Sequence, residues 1–168
     1  ISDQCQAIQL ATHSPYSHVG MIYKVNGKLF VYEAIQPVSI TPLKAFVNRG
    51  QKKHFVVKRL KNANAILTKK NVAKMKHVGE RFKGKNYDLY FGWSDERIYC
   101  SELVWKMYKE ALDIEVGKLE KLSDFDLSSD IVKYKLAERY GSNIPLDELV
   151  VSPASIFNSD KLETVMEH

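Results

Sequence analysis

The chain has 168 residues, 45% of them hydrophobic, enough for one domain with a buried core and too apolar for a disordered segment. No apolar run approaches the ~20 residues that a membrane helix needs. The net charge of +5 is concentrated, because the stretch from Arg49 to Lys85 holds thirteen Lys or Arg against one acid, Glu80.

In chain order, residues 18–25 and 28–36 are rich in β-branched and aromatic side chains and read as strands. Asn26-Gly27 between them is the strongest short hairpin signal. Thr41-Pro42 reads as a helix cap with Pro at the first helical position, and Gly50 ends that helix. Residues 54–60 read as a third strand. Thr68 opens a helix whose apolar positions Val72, Met75, Val78 and Phe82 recur every three or four residues. Residues 83–99 form an aromatic loop. A helix with an apolar stripe through Leu103, Val104, Met107, Ala111 and Leu112 follows Cys100. Another runs from Asp130 to Tyr140, capped by Ser129 and closed by Gly141. Ser152-Pro153 opens a last short turn or helix. No repeat or linker divides the chain, so it reads as one domain, 1–168.

The hairpin carries the first piece of chemistry. A two-residue turn pairs Val25 with Lys28, which sets Gly20 opposite Glu33. Side chains alternate with period two, so His18, Gly20 and Glu33 share a face. His18 and Glu33 are then diagonal neighbours, with Cβ atoms roughly 7 Å apart. A one-residue bulge would undo this pairing. Glu33 is the more telling of the two, since an unpaired glutamate within an apolar run is rarely buried.

Cys100 supplies the second piece. A cysteine at a helix start meets unpaired N–H groups and the positive end of the helix dipole, which favour a thiolate. The same N–H groups can hold an oxyanion. With His18 as base and Glu33 to orient it, the constellation has the parts of a thiol nucleophile. Each part alone has a plainer reading: Cys100 as a small buried residue, His18 as structural, and Glu33 on an exposed edge. Tyr87 and Tyr99 flank the cysteine and read either as substrate-binding residues lining a pocket or as core aromatics.

Other candidates are weaker. Cys5 lies in a polar terminal stretch and reads as incidental, although it could pair with Cys100 in an oxidising compartment. His13, His54, His77 and His168 have no matching acid or third ligand, so no metal and no cofactor are expected. The basic stretch reads first as a solvated face and second as a surface for anionic lipid or acidic polymer. Nucleic acid is disfavoured, because aromatic residues do not interleave with the lysines.

The segments YSHVGMI around His18, VYEA around Glu33, and GKNYD with YCSELVWKMY around Cys100 resemble the YiiX/YaeF-like permuted papain-like amidases of the NlpC-type superfamily. TPLKAF, FDLSS and LAERYGSNIPLDELVVSP extend the resemblance over nearly the whole chain. It implies an α+β, circularly permuted papain-like fold, with an antiparallel sheet packed against the cysteine-bearing helix. It assigns the nucleophile role to Cys100, the base role to His18 and the orienting role to Glu33. It also implies a GDIIF-type strand ahead of Ile1 and a periplasmic or cell-envelope setting. The expected reaction is hydrolysis of an amide in a cell-wall peptide or aminoacyl conjugate. The alternatives are a lipid-directed thiol acyl hydrolase or acyltransferase, and a non-catalytic binding module.

Overall fold

The computed structural model describes residues 2–168, so the junction at Ile1 lies outside the described residues. The first element is a helix that the sequence reading missed, α1 (Asp3–Thr12), capped by the Ser2 hydroxyl and closed by His13 in the left-handed region. Half of its residues are apolar, but they are small or scattered around the helix and make only a weak stripe, so periodicity gives little sign of it. Ala7 and Ala11 nonetheless pack against Leu122, Val132 and Leu136.

β1 (Met21–Val25) and β2 (Lys28–Glu33) form the expected hairpin, with the register running from Val25↔Lys28 to Met21↔Tyr32. Asn26 and Gly27 both have positive φ, 48° and 78°, as a type I′ turn requires. A further strand, β3 (Ser39–Pro42), completes an antiparallel sheet of order β1-β2-β3. This corrects the reading of Thr41-Pro42 as a helix start. Thr41 pairs with Val31 in the ladder, and α2 begins only at Leu43 (Leu43–Arg49). Gly50 closes it, as the sequence suggested.

β4 (Val56–Leu60) pairs antiparallel with the last strand of the chain. That partner was not anticipated, because its pairing is separated from it by about a hundred residues of sequence. α3 (Ala63–Ile66) is a single turn, and α4 (Lys69–Glu80) starts at Thr68 as expected, with the Thr68 hydroxyl as its cap. The aromatic loop holds two short strands, β5 (Asn86–Tyr87) and β6 (Arg97–Ile98), paired in parallel. α5 (Cys100–Leu112) follows, then β7 (Glu120–Lys121), α6 (Asp130–Tyr140), β8 (Leu149–Val150), α7 (Pro153–Phe157) and β9 (Leu162–Glu167). The Ser129 and Ser152 caps and the Gly141 stop are present.

Two adjoining clusters form the core. In one, Tyr32, Ala34 and Val38 from the sheet side meet Met75 and Val78 of α4 and Leu103 and Met107 of α5, with Cys100 at its margin. In the other, Val104 and Trp105 of α5 meet Val116, Val151 and Ile156. Helix α5 lies between both, so its first residue is fixed by packing on two sides.

Candidate active site

The hairpin places a histidine against a buried carboxylate. The ladder, continued one residue beyond Met21↔Tyr32, puts Gly20 beside Glu33. A Cβ on Gly20 would lie 2.4 Å from Val31 Cγ1 and 3.2 Å from Glu33 Cβ, so the close approach needs glycine. Across this gap His18 Nε2 lies 2.6 Å from Glu33 Oε2. Glu33 is fully buried, at 0% exposure.

Glu33 has a second partner that the sequence reading missed. Arg49, the last residue of α2, places Nη2 2.6 Å from each carboxylate oxygen. Burial pushes the Glu33 carboxyl up. Hydrogen bonds from His18, Thr41 and Arg49 outweigh it and hold the group below its ordinary value, so it stays ionised. Phe46, on the same helix, holds both cations: its ring centroid is 5.8 Å from that of His18 and 5.5 Å from the Arg49 guanidinium carbon. Arg49 sat inside the basic stretch read as a surface. The available signal was Glu33 itself, since a buried carboxylate calls for a cation.

Cys100 is the first residue of α5 and is 2% exposed. The His18 imidazole, the Val19 backbone N–H and the Tyr87 phenol are its polar neighbours, and each bears on the electrostatics of the thiol or is borne on by it. Burial pushes the thiol up, but His18 and the Val19 N–H prevail and lower it. For His18, burial favours the neutral ring, yet Cys100 and Glu33 raise it to about 10. Both directions favour a thiolate–imidazolium pair. With Nε2 taken by Glu33, Nδ1 is the ring nitrogen left for the sulfur.

The two flanking tyrosines differ. The Tyr87 hydroxyl faces Cys100, and burial together with that neighbour raises it well above the ordinary phenol value. Gln4 Nε2 donates to the same hydroxyl at 3.4 Å, which brings α1 to the site. The Tyr99 hydroxyl instead accepts from the Val151 N–H at 3.2 Å, and its ring packs edge-on against Phe91 at 5.2 Å. A cavity of about 90 Å³ between α1 and α6 reaches Cys100 and is walled by Ile8, Tyr87, Phe91, Tyr99 and Leu136.

The remaining candidates are dispersed. His13 pairs with Asp126 at 3.1 Å. His54 Nδ1 lies 2.8 Å from the His168 carbonyl, and both residues stand at the β4–β9 end. Cys5 and Cys100 are both free thiols. From the basic stretch, Arg81 pairs with Glu110 at 2.6 Å, while Lys69, Lys70, Lys74 and Lys76 of α4 are exposed.

Residues 2–166 match the family described as "Permuted papain-like amidase enzyme, YaeF/YiiX, C92 family". The chain is 49% identical over 164 residues to the uncharacterized protein YiiX of Escherichia coli K12, covering 98% of this chain and 80% of that protein. A crystal structure described as the metalloprotein yiiX from Escherichia coli O157:H7 superposes with a TM-score of 0.93 at 48% identity, covering 99% of this chain and 91% of that one.

Proposed function

The chain belongs to the permuted papain-like amidase family, and from that premise we propose that Cys100, His18 and Glu33 form a catalytic triad that hydrolyses an amide bond through a thioester. The observation that carries this reading is the buried His18–Glu33 contact of 2.6 Å, with the sulfur of Cys100 against the same ring.

The chemistry runs in two halves. The Cys100 thiolate attacks the amide carbonyl carbon, and free N–H groups in the first turn of α5 hold the developing oxyanion. Tyr87, whose hydroxyl faces the sulfur, donates a further hydrogen bond to the bound substrate, and Tyr99 walls the pocket beside it. The C–N bond then breaks, and the His18 imidazolium gives its proton to the departing amine. In the second half, neutral His18 takes a proton from water, the hydroxide attacks the thioester, and the carboxylic acid leaves as Cys100 recovers its thiolate. Glu33 keeps the ring oriented and stabilises its charged form throughout. Arg49 keeps Glu33 ionised, so the proton stays on the imidazole.

The solved relative is described as a metalloprotein. Among the described residues of this chain, no three His, Cys, Asp or Glu are grouped to hold a metal ion, and Glu33 is engaged by Arg49. These residues do not fit a metal centre.

The experiment is the pH dependence of iodoacetamide labelling at Cys100 in wild type and in His18→Ala. Labelling well below pH 7 in wild type, lost in the variant, supports the pair. Labelling that rises only near the ordinary thiol value of ~8.5 in both proteins overturns it and leaves a non-catalytic binding module. A second reading, hydrolysis of lipid-like acyl amides or esters, is favoured by the cavity beside Cys100. Its mark is a kcat/KM that climbs about threefold to fourfold per added methylene of the acyl group.

A further inference from the structure

The helix that carries Cys100 contains a second buried carboxylate, which the proposed chemistry does not use. Glu102 is 0% exposed. Its Oε2 accepts the Tyr99 backbone N–H at 3.3 Å, the amide just before the nucleophile. Its Oε1 lies 2.7 Å from Lys106 Nζ, one turn on. That contact is an ion pair and not an aligned hydrogen bond, since Oε1 has no hydrogen-bond partner. Lys106 is also buried, its side chain 6% exposed. It donates to Asp95 Oδ1 at 2.8 Å and to the Ser94 carbonyl at 3.2 Å, and sits over the Trp93 ring at 4.9 Å. Arg81, which caps the C-terminus of α4, reaches Asp95 at 3.6 Å. Asp88, buried at the base of the same loop, is the other acid that acts on Glu102.

Stability does not account for this arrangement. Desolvation of a buried ion pair roughly cancels its attraction, and apolar replacements of similar volume are often as stable. The position of Glu102 is more informative. Tyr99 donates no side-chain cap to α5; its hydroxyl lies instead against the Val151 N–H. Glu102 is therefore the side chain that fixes the backbone where the chain enters the helix, and so sets where the Cys100 sulfur and its neighbouring N–H groups point.

We propose that Glu102 is a positioning residue for Cys100, whose ionised carboxylate clamps the Tyr99 backbone and, through Lys106 and Asp95, ties the nucleophile's turn to loop 88–96. The assignment rests on Cys100 being the nucleophile. The charged form makes the stronger clamp, because a hydrogen bond to an ionised acceptor is about twice as strong as a neutral one. Burial raises the Glu102 carboxyl to about 7, against the opposing pull of Lys106. The clamp is then full above neutrality and slackens below it.

The test compares Cys100 alkylation by iodoacetamide from pH 5.5 to 8.5 in wild type, Glu102→Gln, Glu102→Ala and His18→Ala, each checked for fold by circular dichroism. Glu102→Gln keeps an acceptor for Tyr99 but resembles the protonated acid at every pH. The wild-type to Glu102→Gln rate ratio is expected near one at pH 5.5, rising to fivefold or more at pH 8.5 with its midpoint near 7. Glu102→Ala, without an acceptor, is slower throughout. A ratio constant across the range overturns the proposal, and the glutamine variant decides the matter even if the alanine variant fails to fold. His18→Ala separates the two readings. If it abolishes low-pH labelling while Glu102→Gln tracks wild type, only the positioning role fails. If it changes nothing, the nucleophile–base pair itself fails.

Discussion

Two glutamates flank Cys100, both at 0% exposure, and they are held in opposite electrostatic states. Glu33 has Arg49 on both oxygens, with His18 and Thr41 besides, and is lowered. Glu102 has one misaligned ammonium and one backbone N–H, with Asp88 opposing it, and is raised to about 7. Burial pushes both carboxyls up, and the contrast in the number and alignment of donors is what lets only Glu33 overcome it. A carboxylate that must stay charged is surrounded, whereas one that responds to pH is left with few partners.

The largest expected effect follows from removing the surrounded acid. Glu33→Ala leaves His18 free to turn and its charged form unsupported, and should slow Cys100 alkylation at pH 6 by about 10²–10⁴-fold, the range for loss of a triad orienter or base. Stopped-flow labelling measures it, and a change below threefold would make Glu33 a bystander.

The next effect reverses the sign. A buried acid raised from its ordinary value of 4.5 to about 7 favours the native state less once pH climbs through that window, because the unfolded chain releases the proton more easily. Its ionisation therefore costs stability above neutral pH, roughly 3 kcal/mol from the width of the shift. Glu102→Gln should then match wild type near pH 4.5 and exceed it by up to about 3 kcal/mol at pH 8, as urea denaturation at both pH values would show. Equal stabilities at pH 8 would mean that Glu102 is better compensated than its contacts suggest. The glutamine variant is thus expected to be sturdier and less reactive at once.

Glu33 behaves in the opposite sense. A lowered carboxyl lends stability above its ordinary value and loses it as pH falls through the native one. Arg49→Met removes one lowering contact, so acid unfolding should begin at a pH higher by up to about one unit, given that a neighbouring cation lowers a carboxyl by about 1–3 units. An acid transition that does not move would assign the effect to His18 and Thr41 alone. The smallest change is Tyr99→Phe, which orphans the Val151 N–H and should cost about 1 kcal/mol or slightly more in urea while leaving the alkylation rate near wild type. Tyr87→Phe should do the reverse.

How much of this was legible from sequence follows the range of the interactions. The hairpin, the His18–Glu33 diagonal and the Cys100 helix start are local, set by turn chemistry and side-chain parity, and each was readable from a dozen residues. The helix starts at Thr68, Ser129 and Ser152 were readable for the same reason. Arg49 was not, because its pairing depends on how α2 folds back over the sheet, and a lysine-rich neighbourhood disguised it. Glu102 stands in the first turn of α5, where an acid suits the helix dipole whether or not it does anything more. Its burial depends on loop 88–96 and Lys106 closing over it, and no periodicity reveals that. β3, β9 and α1 were missed where short or polar segments gain their structure from distant partners.

The Asn26-Gly27 turn has a consequence for what lengths of chain the site can tolerate. His18 and Glu33 are indexed from that turn, not from either end of the protein. One residue added to each strand at the tip leaves them facing each other on a taller hairpin. A single residue added to one strand alone turns the carboxylate to the opposite side of the sheet, away from the imidazole and from Arg49. Insertions here are therefore governed by evenness, so natural or engineered variants of this hairpin that keep a working histidine should differ from it by two residues, or four, but not by one.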